Sequence, residues 1–107
     1  MSKVLDINRA IQQNDEIQVK DSFTLEPNLI DFFKKCSKNE AKLFWLNEMI
    51  EEEDISFFSK ERVHLLENIQ SVMKLTSDDT LLKSMQNLID LITKAISLDQ
   101  DLYIWEQ

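Results

Sequence analysis

The chain of 107 residues contains no glycine, where ordinary usage would supply about seven. Backbone amides close tightly on a phosphate where no Cβ intervenes, so Gly-rich phosphate loops and dinucleotide-binding turns are excluded. Asn-Gly and Asp-Gly hairpin turns are missing for the same reason, which speaks against a β-rich fold. The single cysteine, Cys36, allows no internal disulfide, and with the single histidine, His64, it cannot furnish a Cys/His zinc site. No apolar run approaches the ~18 residues of a membrane span. The opening residues 1–6 lack the apolar stretch of a signal peptide, so the expected location is the cytoplasm.

What is present is charge and apolar residues: 43% of the chain is hydrophobic and 30% charged. That composition describes one globular domain spanning 1–107 with enough length to bury a core. The net charge of −8 is unevenly placed. Residues 1–47 hold seven acids and seven bases, whereas residues 48–107 hold thirteen acids and five bases. Phosphate binding needs clustered Lys and Arg, so neither nucleic acid nor an anionic membrane is an expected direct ligand. A basic protein partner fits, because opposite fields speed encounter and exclude wrong partners.

Apolar spacing of three and four predicts helices nearly throughout. Val4, Ile7 and Ile11 predict one over 3–13, and Leu29, Phe32 or Phe33, and Cys36 another over 28–36, with Pro27 suited to its first turn. Ser37 and Glu40 form a capping-box pattern ahead of a helix over 38–53. Ser59 heads a helix over 60–75, and Thr76 to Asp79 open a longer one from 77 to about 98, extending toward 105. Residues 14–26 alternate in a strand-like way over short runs and read as an extended connection across the bundle. The expected fold is therefore all-α, a compact bundle of four or five helices.

Two features draw attention as functional. Glu48, Glu51, Glu52, Glu53 and Asp54 place five carboxylates at a predicted helix C-terminus, where the dipole prefers cations and like charges one turn apart repel. A locally unfavourable choice points to a use elsewhere. Phe57 and Phe58 follow this run, and Tyr103 and Trp105 lie in an acid-flanked tail that either folds back as a last helical turn over the core or presents both rings to another chain; an exposed aromatic rimmed by carboxylates has the make-up of an interface centre.

Glu48-Met-Ile-Glu51 resembles half of the magnesium site of the all-α nucleoside-triphosphate pyrophosphohydrolases, which pair Glu-x-x-Glu with Glu-x-x-Asp on the next helix. Neither Glu61 nor Glu67 has an Asp three residues on, so the second half is missing. Glu61-Arg-Val-His64 is a lone Glu-x-x-His, and a di-iron bundle needs two. No catalytic residue, metal ligand or cofactor is assigned.

By elimination the sequence reads as a small acidic inhibitor that binds protein, an immunity protein or antitoxin covering the basic active site of a toxin. Glu48, Glu51–Asp54, Asp78 and Asp79 would meet its lysines and arginines, and Phe57 with Phe58, or Tyr103 with Trp105, would fill an apolar pocket. The competing readings are a phage-encoded mimic of nucleic acid, a magnesium-dependent nucleotide hydrolase, and a homo-oligomeric structural bundle. The chain alone is expected to be a monomer or a small homo-oligomer.

Overall fold

Asn14 and Asp15 reverse the chain in the tightest way a hairpin allows. They form a two-residue loop between Gln13 and Glu16, which face each other in register, and both take positive φ, 52° and 64°. Positive φ at both central positions is what a type I′ turn requires, and Asn and Asp tolerate it best after glycine. The absence of glycine therefore does not forbid a hairpin here. The two arms are strands β1 (Leu5–Gln13) and β2 (Glu16–Leu25).

The computed structural model describes residues 3–38, 40–51 and 56–107. After the hairpin come helix α1 (Pro27–Ser37), a 3-10 turn (Ala41–Leu43), helix α2 (Phe44–Glu51), strand β3 (Ser56–Phe58), helices α3 (Arg62–Met73) and α4 (Asp79–Ser97), and strand β4 (Asp101–Glu106). The strands form one antiparallel sheet in the order β2-β1-β4-β3. Three of them are long, and β3 is a three-residue edge. The expected all-α bundle is thus corrected to an α+β fold, and the homo-oligomeric helical bundle loses its basis with it.

The corrections have a common cause. Helical spacing of Val4, Ile7 and Ile11 coexists with an alternation in which Leu5 and Ile7 face the core, and short apolar runs satisfy both periods. What decides is a distant partner: Leu5 pairs with Glu106, and Ile7 with Ile104, at the other end of the chain. The stretch 14–26 is no loose connection, because most of it is β2, with Leu25 opposite Leu5. One irregularity interrupts that ladder. The register passes from Arg9↔Asp21 to Ala10↔Val19, leaving Lys20 as an extra residue on β2.

At the C-terminus, the four-three stripe of α4 stops short of Leu102. Asp78 caps the helix start, its carboxylate accepting from the N–H groups of Thr80 (2.9 Å) and Leu81 (3.1 Å). At the far end Asp99 turns left-handed, with φ 53°. The Gln100 N–H then donates to the Ala95 carbonyl (2.8 Å) and the Asp99 N–H to that of Ile96 (3.2 Å). These two bonds make a Schellman closure, with aspartate where glycine usually stands. The chain leaves it as a strand, so the expected helical continuation to 105 is corrected to β4.

One face of the sheet and the inner stripes of the helices share a single core. Leu5, Ile7, Leu25, Phe58, Leu102 and Ile104 come from the strands, and Phe33, Leu46, Met49, Ile69, Leu88 and Ile92 are among those from the helices. Three buried polar side chains, Asn68, Asn8 and Arg62, are bonded into this frame. Asn68 on α3 accepts from the Leu46 N–H (3.1 Å) and donates to the Lys42 carbonyl (3.2 Å), satisfying a free amide in the first turn of α2. Buried Asn8 donates to the Tyr103 carbonyl (3.0 Å) and accepts from the Ser22 hydroxyl (2.6 Å). Arg62 donates to the carbonyls of Ser59, Ala95 and Gln100, fastening the start of α3 to the end of α4. Among the described residues, no helix is long and apolar enough to cross a membrane.

Candidate protein-docking face on helix α2

Helix α2 is short because the chain enters it through the 3-10 turn rather than through a capping box. Glu40 precedes that turn without a side-chain cap bond, and the Ser37 hydroxyl instead donates to Asn47 Oδ1 (3.4 Å). The helix therefore starts at Phe44, six residues later than the predicted start at 38. Leu46, Met49 and Ile50 point into the core. The opposite stripe carries Phe44, Glu48 and Glu51, at i, i+4 and i+7, all exposed. Within Phe44–Glu51 there are two carboxylates and no cation.

Phe44 is 51% exposed although it is aromatic and large. It is nonetheless held in place. Its ring meets Trp45 edge-on, with centroids 4.9 Å apart, and Trp45 meets Phe58 in the same way at 6.2 Å. Phe58 is 3% exposed and belongs to the core. An edge-to-face chain thus runs from the surface to the interior, and such contacts add to simple burial. On its other side Phe44 walls an open groove of about 340 Å³ with Ser37, Glu40, Ala41 and Asn47. The Asn47 amide donates to Glu51 (3.3 Å) and orients that carboxylate.

The structure places the sequence-derived candidates in different settings. Glu48 and Glu51 share the α2 stripe with Phe44. Glu52, Glu53 and Asp54 lie outside the described residues. Phe57 is the register partner of Tyr103 across β3 and β4. The expectation that Phe58 is exposed is corrected, since it anchors the core beneath Trp45. Tyr103 is 7% exposed within β4, so the exposed-tail reading is corrected for it as well; Trp105 on the same strand is half-buried. Burial first, and then the Asp101 carboxylate, push the Tyr103 phenol above its usual 10.0. Asp78 serves as the α4 cap and Asp79 lies exposed in its first turn, where carboxylates favour the helix dipole.

The residue that sequence reasoning passed over is Phe44. Leu46, Met49 and Ile50 face the core at i+2, i+5 and i+6 from it, and that helical spacing sets Phe44 on the opposite side of α2. The remaining single-copy residues have bland settings. His64 is exposed on α3. Cys36 is half-buried, not buried, and burial pushes its thiol above the usual 9.0 against the opposing pull of the Lys35 ammonium. Among the described residues, no group of three or more His, Cys, Asp or Glu is placed to hold a metal ion.

This arrangement can hold a cationic partner: a rigid apolar centre, two carboxylates on the same stripe, and a groove beside them. No protein-family model matches the sequence, and neither a curated protein nor a solved structure is significantly similar to it.

Proposed function

We propose that this protein is a small acidic inhibitor that works by binding another protein, of the immunity-protein or antitoxin kind, with α2 as its docking face. The carrying observation is the exposed stripe of Phe44, Glu48 and Glu51. A half-exposed ring supported edge-on by two further rings is costly in water and already ordered, so little side-chain entropy is lost when a partner covers it. Aromatic anchors of that kind dominate binding energy when a polar rim excludes water around them. Glu48 and Glu51 form part of such a rim, and they would meet lysines and arginines that a toxin otherwise uses on its own anionic substrate. The excess of acids in residues 48–107 adds long-range steering, which makes association fast and sensitive to salt. The compartment in which this happens is proposed to be the cytoplasm.

The test is capture of a partner on the immobilised chain, followed by measured binding to the purified partner. A basic protein should bind in near-equal amount, elute as salt rises, and lose its own activity in the complex. Phe44→Ala should weaken binding ~10–100-fold, as loss of a hot-spot aromatic does. Glu48→Lys with Glu51→Lys should slow association and reduce its salt dependence. A partner bound by both variants as tightly as by the parent chain would remove α2 from the interface.

A further inference from the structure

Strand β2 forms one edge of the sheet, and an edge strand leaves alternate backbone N–H and C=O groups without ladder partners. Its regular stretch is Asp21–Leu25, because the extra residue Lys20 breaks the ladder toward the hairpin. Helix α4 runs beside this stretch, and an open groove of about 360 Å³ lies between them. Phe23 and Leu91 give the groove its apolar part, Asp21 and Asp90 contribute two carboxylates, and Lys94 one ammonium.

An open sheet edge, a flanking helix and a groove between them are the parts by which folded domains take in an extended segment. The edge supplies main-chain hydrogen bonds, and the groove reads every second side chain of the added strand. Two devices guard this edge against indiscriminate pairing. The Lys20 bulge ends the regular ladder, and the Asp21 carboxylate accepts a hydrogen bond from the Ser22 N–H (2.9 Å). A strand that brings a cation offers Asp21 a better partner than this local bond, so the guard discriminates by charge.

We propose that the β2 edge and the flank of α4 accept an extended basic segment of a partner protein as an added strand. Alternate residues of that segment, one cationic and the next apolar, enter the groove against Asp21 and Asp90 and against Phe23 and Leu91. Lys94, one helical turn beyond Asp90, disfavours a cation at that end and so sets the position of the basic residue. Within the groove two carboxylates, Asp21 and Asp90, stand against one ammonium, Lys94, and this local excess together with the net charge of −8 favours a cationic occupant over a neutral or acidic one. This site is separate from the α2 face and stands without it.

The experiment titrates the isotope-labelled full chain with the synthetic peptide Thr-Lys-Thr-Val-Thr-Val-Thr and follows amide shifts and hydrogen exchange by NMR. Amide shifts and slowed exchange should be confined to Asp21–Leu25 and the Asn87–Lys94 flank of α4. Asp90→Lys, an exposed change, should keep the native circular dichroism and bind at least tenfold more weakly. A peptide with N-methylated backbone amides, which cannot donate to the edge, should lose binding at unchanged charge. No protection of Asp21–Leu25 at millimolar peptide would overturn the proposal, as would equal binding by Asp90→Lys or by the N-methylated peptide. Edge protection that grows with protein concentration alone would overturn it too, and would assign the edge to a second copy of the chain.

Discussion

Replacing Arg62 tests the corner that joins helices to sheet. The residue is 9% exposed, and its guanidinium donates to the carbonyls of Ser59, Ala95 and Gln100. Its contact with the Asp99 carboxylate is longer, 3.4 Å, and the Asp99 side chain is 97% exposed. An ion pair with one partner so exposed contributes about 0–1 kcal/mol. Hydrogen bonds from a charged donor contribute about 1.5–3 kcal/mol each, but they are not additive, and Ala95 keeps its bond from the Gln100 N–H. Arg62→Met retains an apolar stem and the backbone N–H that donates to the Ser59 carbonyl (3.2 Å), so the carbonyl that loses its guanidinium bond without such a substitute is that of Gln100. We expect it to cost about 1.5–3 kcal/mol, the range for loss of a hydrogen bond from a charged donor.

Asp99→Asn keeps a residue that tolerates positive φ and removes only the exposed ion pair, so its expected cost is below about 1 kcal/mol. Urea unfolding of both variants, with the slope compared to confirm equal surface exposure, measures the two costs directly. If Asp99→Asn destabilises as much as Arg62→Met, the ion pair and not carbonyl capture holds the corner, and the reasoning fails. A loss below about 1 kcal/mol in Arg62→Met would refute it equally.

The remaining predictions concern the turn, the aromatic chain and the tyrosine. Asp15→Gly should stabilise the protein by about 0.5–1 kcal/mol in urea unfolding, because glycine relieves positive φ in a type I′ turn, whereas Asp15→Val should destabilise it. Phe58→Ala should cost about 3–5 kcal/mol as a core truncation, while Phe44→Ala should leave thermal stability within about 1 kcal/mol and act on partner binding instead; equal losses in both would place Phe44 in the core. Tyr103 is the only tyrosine, so ultraviolet titration of tyrosinate reads it alone and should give a midpoint above 10.0. Its raised pKa contributes stability that is complete below the unfolded value and is lost as pH rises through the folded one; that alkaline loss should be smaller in Tyr103→Phe.

Much of the helical part was legible because its signals are local. The α4 stripe through Met85, Leu88 and Ile92 and Pro27 at the start of α1 lie within a few residues of the structure they specify, while the α4 cap falls on Asp78, so the helix starts at Asp79 and not at 77. The exposed stripe of α2 was half legible: Glu48 and Glu51 stood out by charge, but the exposure of Phe44 depends on which side of α2 meets the core. The burial of Phe58 and Tyr103 depends on β3 and β4, which pair across tens of residues with no turn signal between them.

The charge, the absence of glycine-dependent phosphate loops and the apolar stripes of α1, α3 and α4 follow from composition and local spacing. Tertiary structure alone decided that Leu5–Gln13 and Asp101–Glu106 are strands. Each of these runs is short enough to satisfy a helical or an extended period, and neither is stable as a strand without its neighbours. Pairing the two ends of the chain, Leu5 with Glu106, gives each run its partner and turns Ile7 and Ile104 into the same core. The turns that permit this use Asn14, Asp15 and Asp99 where glycine is customary, a substitution whose meaning appears only when the backbone around it is folded.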